Sequence, residues 1–573
     1  MSYVPPEKER SQQARPDASG KPTFDWQLSS TSFLDTVKLT VPPMVALPIV
    51  FVPGIMGSNL SDRENKPVWL LDLSIGAPLT LAKRWAGKSA GARQKILHPD
   101  RTKVYRDGNV PKKLVGTVSQ RQTYSDRGWG EVSEGSYHAF LLWLEEKMNG
   151  QGFNPAKWSD FSYTAVSATP APGTRPPEPK LFPGIAMQMN GLPMVAEDRH
   201  FTDPVLSDDL LKRAKCRFPV YACGYNWLQS NELAGNRLKE RIQQIIAENN
   251  HGAFKCEQVI VVTHSMGGLV ARHCSTLAGM EQMIAGVVHG VMPAVGAAVA
   301  YRRCKVGMHE ESVKAGMVIG PTGREVTAVF AQAPGALQLL PSTGYQAKWL
   351  SVLDAHEKNI VNLPVADPYE EIYLVKDKWW GLVRSEWLTP DEGKPISWND
   401  YSLNIKLAKA FHAKIAKSYH PYTFVYYGAS GEEYASFEGV KWRMRKGLTP
   451  EAGKSPTAQQ AAGYSHQTVR EDGQNKIFVG GETKMESVYT PGAGGTVVTY
   501  DTSFWEIRCD MQDGKGDGTV PASSGMAPRR DGSAHIRQQF RLEGFDHEGS
   551  YNNPTAQRVT HYAITKIAAL AKL

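Results

Sequence analysis

The sequence predicts an α/β fold, a mostly parallel central sheet flanked by helices and interrupted by large insertions. Three observations predict it. The run Val259-Ile260-Val261-Val262 is apolar and β-branched, is too short for a helix, and reads as a strand buried on both faces. It ends at Thr263-His264-Ser265-Met266-Gly267-Gly268 and gives way to a helix-compatible segment reaching about Leu277, a strand-turn-helix corner. Ahead of it, Phe218 to Ala222 and the helix-spaced Glu232 to Ile246 complete a strand, helix, strand progression, the pattern of a parallel βαβ unit.

A chain of 573 residues is longer than one hydrophobic core usually organises, so large insertions or further substructures are expected. With 41% hydrophobic and 21% charged residues it has the make-up of a soluble globular protein, and its 37 prolines point to many loops. The net charge of +8, from 65 basic and 57 acidic residues, is a mild excess spread along the chain. It suits an anionic surface such as phospholipid headgroups as readily as plain solubility, and it gives no reason to expect nucleic acid. The cysteines Cys216, Cys223, Cys256, Cys274, Cys304 and Cys509 show neither C-x-x-C nor a repeated spacing, so no zinc site and no disulfide framework are indicated. Met1 to Gly20 is polar and lacks the apolar stretch of a secretory signal, which makes synthesis in a reducing cytoplasm the expectation. Met283 to Ala300 contains no Asp, Glu, Lys or Arg, but its three glycines, Pro293 and His289 make it a buried strand and loop rather than a membrane span.

Taken in order, residues 1–44 read as a tail or wrapping segment, and 45–60 hold a second core strand running into Pro53-Gly54-Ile55-Met56-Gly57-Ser58. Residues 61–217 form an insertion or cap that includes the proline-rich run Pro170 to Pro177. Within it, a helix from Gly135 to Met148 puts Tyr137, Phe140, Leu141, Leu144 and Met148 on one face, with Glu145, Glu146 and Lys147 opposite. The core resumes over 218–301: a helix with Leu233, Leu238, Ile242, Ile245 and Ile246 inward, the Ser265 corner, and a strand Ile284 to Val288. The loop His289-Gly290-Val291-Met292-Pro293 is expected beside Ser265, because ligands of open parallel sheets bind beyond the carboxyl ends of the strands.

Residues 302–398 form a second insertion carrying Trp349, Trp379, Trp380 and Trp387. Residues 399–427 return to the core with a helix Leu403 to Ala416 and a strand Tyr422 to Tyr427; 428–500 are a Gly-rich irregular or antiparallel excursion. Residues 501–573 close the core with a strand Ile536 to Leu542 and a helix from about Ala556 that turns Val559, Tyr562, Ala563, Ile567 and Leu570 to the sheet.

The chemistry follows from the corner. A serine on a tight turn between strand and helix is the nucleophile elbow, usually G-x-S-x-G; here Thr263 stands at the first glycine and Gly267 at the second. A neutral hydroxyl needs a base within hydrogen-bond reach, and that base needs an orienting carboxylate. Asp517, in Gly516-Asp517-Gly518-Thr519-Val520-Pro521, and His547, in the loop after the last strand, supply these in the order Ser, Asp, His. His264 adjoins the nucleophile and is expected to point away from it; His289 is a weaker rival base. Backbone N–H groups of Ile55 and Met266 are the expected oxyanion donors, fixed by the fold before charge develops. Asp510, Asp513 and Asp517 lack the spacing of an EF-hand loop, so no metal and no cofactor are expected.

The segments Phe51-Val52-Pro53-Gly54-Ile55-Met56-Gly57-Ser58, Thr263-His264-Ser265-Met266-Gly267-Gly268 and Gly516-Asp517-Gly518-Thr519-Val520-Pro521 together resemble the lipases similar to lecithin:cholesterol acyltransferase and GPI inositol-deacylase. Pro219 to Trp227, the loop Val288 to Gly296 and the polar N-terminus look most like the bacterial phospholipase effectors of type VI secretion systems. The resemblance implies an α/β-hydrolase fold and hydrolysis of a phospholipid ester of a membrane. It also implies spike or adaptor proteins for delivery into the periplasm of a neighbouring bacterium, and a cognate immunity protein in the producer. The acyltransferase branch carries an early disulfide after its oxyanion turn, whereas this chain has no cysteine before Cys216.

Two other readings fit the same residues. One is a carboxylesterase of small soluble esters with the same triad. The other is a membrane-binding toxin whose hydrolase core is inactive.

Overall fold

The computed structural model describes residues 45–70, 85, 87–111, 123–149, 205, 207–250, 254–311, 320–390, 396–448, 456–471, 473–490, 494–532 and 534–572, with short strand segments at 9–13, 15–16, 22–23 and 36–40. The expected tail and the proline-rich run Pro170 to Pro177 lie largely or wholly outside these residues.

Six strands form the central sheet in the order Val220–Ala222, Ile49–Val52, Val259–His264, Ile284–Gly290, Thr423–Gly428 and Ile536–Leu542. All five pairings are parallel, so the carboxyl ends of all six strands meet at one edge. The inner strands alternate their side chains between two buried faces, which is why Ile49–Val52 and Val259–Val262 are continuous apolar runs, whereas the edge strand Ile536–Leu542 carries Arg537, Gln538, Gln539 and Arg541. Val50, Val52, Val261 and Val287 pack with Leu238, Ile242, Ile245, Leu269 and Val270 of the helices Asn231–Asn249 and Gly267–Ser275. Ile49, Phe51, Ile260, Val262 and Val288 pack on the other side with Phe140, Leu141 and Leu144 of Ala139–Asn149 and with Val559, Ala563 and Ile567 of Pro554–Ala568. The architecture is that of the α/β-hydrolase fold: a parallel sheet, helices on both faces, and the Ser265 corner at the end of an inner strand.

Several helix faces depart from expectation. Leu233 is 54% exposed, and the inward row is Ala234, Leu238, Ile242 and Ile245. Helix spacing accounts for it: Leu233 stands about 140° around the helix from Leu238, away from the buried row, while Gly235 on the buried side lets the helix close onto the His273 ring. Glu145, expected on the solvent side, is fully buried and pairs with the buried Arg127 at 2.7 Å. Leu570 is exposed because the last helix stops at Ala568. The helix expected from Leu403 begins at Trp398, where Ser397 and Asp400 form a reciprocal capping box.

A second, mixed sheet runs Asn359–Leu363, Leu350–Leu353, Val440–Lys446, Trp505–Cys509, Ile477–Val479 and Val469–Glu471. It draws strands from both later insertions and takes Trp505–Cys509 from the segment assigned to the hydrolase core. Its inner residues Val352, Trp442, Met444, Val479 and Ile507 are continuous with the core on the elbow-helix face of the central sheet. The helix Ala298–Val306 runs unbroken across the expected boundary at 301/302.

Candidate active site

Ser265 leaves the strand Val259–His264 with φ at +52°, a conformation that L side chains adopt at a cost of about 1 kcal/mol or more. Its N–H donates to the carbonyl of Gly290 at 2.9 Å, tying the corner to the end of the next strand. Gly267 allows the close approach: a Cβ there would stand 2.5 Å from the carbonyl oxygens of both Val52 and Pro53. Thr263, at the other small-residue position, is fully buried yet unstrained in space, because it faces its register partner His289 and its Oγ1 lies 2.9 Å from His289 Nδ1.

Oγ of Ser265 lies 2.8 Å from Nε2 of His547, and Nδ1 of His547 lies 2.8 Å from Oδ2 of Asp517. With a carboxylate as acceptor, Nδ1 carries the ring proton and Nε2 is left to accept from the serine hydroxyl. Asp517 is 1% exposed, and its other oxygen accepts the backbone N–H groups of Thr519 at 3.1 Å and Val520 at 2.7 Å. Gly518 makes that turn with φ at +86°. The structure thus brings Ser265, His547 and Asp517 together.

The neighbouring carboxylates are engaged elsewhere. Asp510 pairs with Arg443 at 2.9 Å, Asp513 pairs with Lys441, and Asp546 turns toward Gly549. His289 is buried against Thr263, and burial together with the charge of Arg272 pushes its ring down to about 3. Among the described residues no group of three or more His, Cys, Asp or Glu is placed to hold a metal ion, and the six cysteines are buried and free.

Ile55 follows Gly54 in the turn beyond Ile49–Val52, and Met266 caps the helix Gly267–Ser275. Neither backbone N–H has an acceptor among the described residues. The positive end of the helix dipole adds to the Met266 donor. Met56, at φ +64°, accepts from Trp69 Nε1 at 2.8 Å, and the Trp69 ring packs on Trp85 and Trp227. An aromatic cluster of Trp69 and Trp85 from the first insertion and Trp227 from the core therefore backs the turn. A large part of the first insertion, residues 71–84, 112–122 and 150–204, lies outside the described residues, as do residues 312–319 and 391–395 of the second. A cavity of about 210 Å³ bounded by Val295, Tyr345, Met526 and Arg530 does not include the triad and is too small for a two-chain lipid.

Two residues at the site carried no signal that set them apart in sequence. Tyr137 sits on the apolar helix face and reads as core, yet its hydroxyl lies 3.0 Å from His264 Nδ1. Tyr551 follows the histidine loop, and its hydroxyl donates to the carbonyl of Thr263 at 2.8 Å.

Residues 183–311, which include the elbow, match the PGAP1-like alpha/beta domain family. Among solved structures, a chain of the Tle4-Tli4 complex matches with a TM-score of 0.67 and 26% identity, covering 92% of this chain and 99% of that one. EstA from Clostridium botulinum matches with a TM-score of 0.26 and 13% identity, covering 62% of this chain and 80% of that one. No curated protein sequence is significantly similar to the chain.

Proposed function

We propose that this lipase-like α/β-hydrolase cleaves a carboxylic ester of a glycerophospholipid through an acyl-enzyme on Ser265. The observation that carries the reading is the unbroken line from Ser265 Oγ through His547 to Asp517, with two spacings of 2.8 Å. Ser265 Oγ attacks the ester carbonyl carbon as His547 Nε2 takes the hydroxyl proton, and Asp517 holds the ring in the required tautomer and offsets the imidazolium charge. The oxyanion lies between the N–H groups of Ile55 and Met266, which have no other acceptor among the described residues. Collapse expels the lysophospholipid alkoxide, which takes the proton from Nε2. Water, deprotonated by the same nitrogen, then attacks the acyl-serine and releases the fatty acid.

The likeness to the Tle4 chain supports the further reading of an antibacterial, phospholipase A type effector of a type VI secretion system. In that reading spike or adaptor proteins carry the chain into the periplasm of a target cell. Tle4 was crystallised with Tli4, which supports a cognate protein partner here, an immunity protein that protects the producer. Among the described residues no helix is long and apolar enough to cross a membrane, so the chain reaches lipid from the surface in this account.

The test is reaction with a fluorophosphonate, in which the serine oxygen displaces fluoride from phosphorus. The wild-type protein is expected to be labelled at Ser265 and the S265A variant to remain unlabelled. Labelling retained in S265A, or absent from the folded wild type, contradicts the reading.

A further inference from the structure

We infer that Tyr137 and His264 form a positioning bridge that ties the oxyanion turn to the loop bearing His547; the inference rests on the serine-hydrolase reading above. The bridge is a directed chain of three hydrogen bonds. Gly54 N–H donates to Tyr137 Oη at 3.2 Å, so that oxygen accepts there and its own hydrogen is left for His264 Nδ1 at 3.0 Å. At the far side of the ring, Nε2 lies 2.9 Å from the backbone carbonyl of His547. A carbonyl can only accept, so Nε2 carries the proton. Both nitrogens of His264 are therefore assigned, and the ring is neutral. Burial and the adjoining His547 push it down to about 3, so it stays neutral when His547 takes up the serine proton.

The close fit supports a mechanical role. An added Cβ on Gly54 would stand 2.9 Å from His264 Nδ1 and 3.0 Å from Ser265 Cβ, so the turn closes onto the ring only with glycine. The same first-insertion segment holds the histidine loop twice more. Ser136 Oγ donates to Glu548 at 2.9 Å, and the Phe140 ring packs on Tyr551 at 4.1 Å between centroids. His547 is thus fixed by its side chain through Asp517 and by its backbone through His264. Tyr137 and His264 make no hydrogen bond to Ser265 Oγ; they act on the spacing between nucleophile, base and oxyanion donors, where an error of about 1 Å costs on the order of a hundredfold in rate.

The test compares wild type, Y137F, H264L, H264Q, the Y137F/H264L double variant and S265A. The readouts are kcat and KM on p-nitrophenyl butyrate, the rate of fluorophosphonate labelling, and Tm. Y137F and H264L are each expected to lower kcat and labelling about ten- to a hundredfold while KM stays within about twofold. The double variant should be no slower than the worse single one, because the three bonds act as one unit. H264Q, whose amide N–H reaches the Nε2 position, should recover part of the loss. Folded variants with wild-type kcat, or losses that multiply in the double variant, overturn the bridge. Should H264L fail to fold, Y137F and H264Q decide the question, since both preserve most of the volume. Wild-type labelling that S265A abolishes upholds the serine reading whatever the bridge variants do; absence of wild-type labelling removes both.

Discussion

Ser265 Oγ and His547 Nε2 stand 2.8 Å apart although 282 residues separate them in the chain. The meeting is a consequence of sheet direction. Val259–His264 and Ile536–Leu542 run parallel within one sheet, so the loops that leave their carboxyl ends open on the same edge. Asp517 reaches that edge in the loop ahead of Ile536–Leu542, and Ser430, just past Thr423–Gly428, exchanges backbone hydrogen bonds with Gly516 at 2.8 and 3.0 Å.

Replacing Asp517 by Asn should leave the fold intact and lower kcat on the order of ten-thousandfold, because the amide cannot hold His547 in the tautomer that accepts the serine proton. D510N, D513N and D546N should stay near wild type, since those carboxylates face Arg443, Lys441 and Gly549. Steady-state kinetics on a chromogenic ester distinguishes the four. A D546N or D513N loss as large as that of D517N would reassign the acid.

The buried Arg127–Glu145 pair, at 2.7 Å with side chains 1% and 0% exposed, fixes the helix Ala139–Asn149 against the edge strand Val220–Ala222. E145Q leaves the guanidinium charge unmatched inside the protein and should cost about 3–5 kcal/mol, read as a fall in the urea midpoint. Replacing both residues by Met should recover much of that loss. A midpoint unchanged in E145Q would show that the pair contributes nothing to stability.

What the sequence could disclose follows from how local each signal is. Continuous apolar runs and the Ser265 corner are properties of a few adjacent residues, so the central sheet and the elbow were legible. Ser265 and His547 could be placed because each follows a core strand, and Asp517 because its glycine-flanked turn stands ahead of the last one. The second sheet was not legible as one sheet because its strands come from three separate stretches; the alternation Val-Lys-Trp-Arg-Met-Arg-Lys of Val440–Lys446 is a half-buried strand pattern, and its pairing is what the sequence does not disclose. Glu145 on the inward side was hidden because its partner Arg127 lies outside the helix. Tyr137 reads as core because a buried ring with a hydrogen-bonded hydroxyl looks the same in an apolar stripe as one without. Leu233 is out of phase with Leu238, Ile242 and Ile245 by the helix period itself, so its apolar side chain, and not its position, is what suggests an inward place.

Acid should destabilise the protein between about pH 6.5 and 4. Burial lowers the rings of His264 and His289 to about 3 and those of His412 and His466 to about 4. For a histidine whose folded value is depressed, the unfolded chain binds more protons in that window. The stability is therefore complete above the unfolded value and is lost as pH falls toward the folded one. At pH 4.5 each fully buried ring forfeits about 2.5 kcal/mol, and Tm should drop steeply across the window, less steeply in H289Q. A Tm independent of pH from 6.5 to 4 would contradict this account of the buried histidines.

Placement of the enzyme should decide its toxicity. In a naive bacterium without the immunity protein, four strains are compared: cytoplasmic or exported by an added signal peptide, each with Ser265 or with Ala at that position. Only the exported Ser265 strain is expected to stop growing, because the outer leaflet of the inner membrane presents substrate there. Equal growth of the two exported strains would refute an antibacterial role that depends on hydrolysis.

The central claim, hydrolysis of a phospholipid ester by Ser265, is tested most directly by the fatty acid released from phosphatidylethanolamine and phosphatidylglycerol vesicles by wild type and S265A at equal concentration. The account predicts steady release by the wild type and none above background by S265A, with both proteins melting at the same temperature. Equal release by S265A, or a folded wild type that hydrolyses p-nitrophenyl butyrate and releases nothing from vesicles, would contradict it.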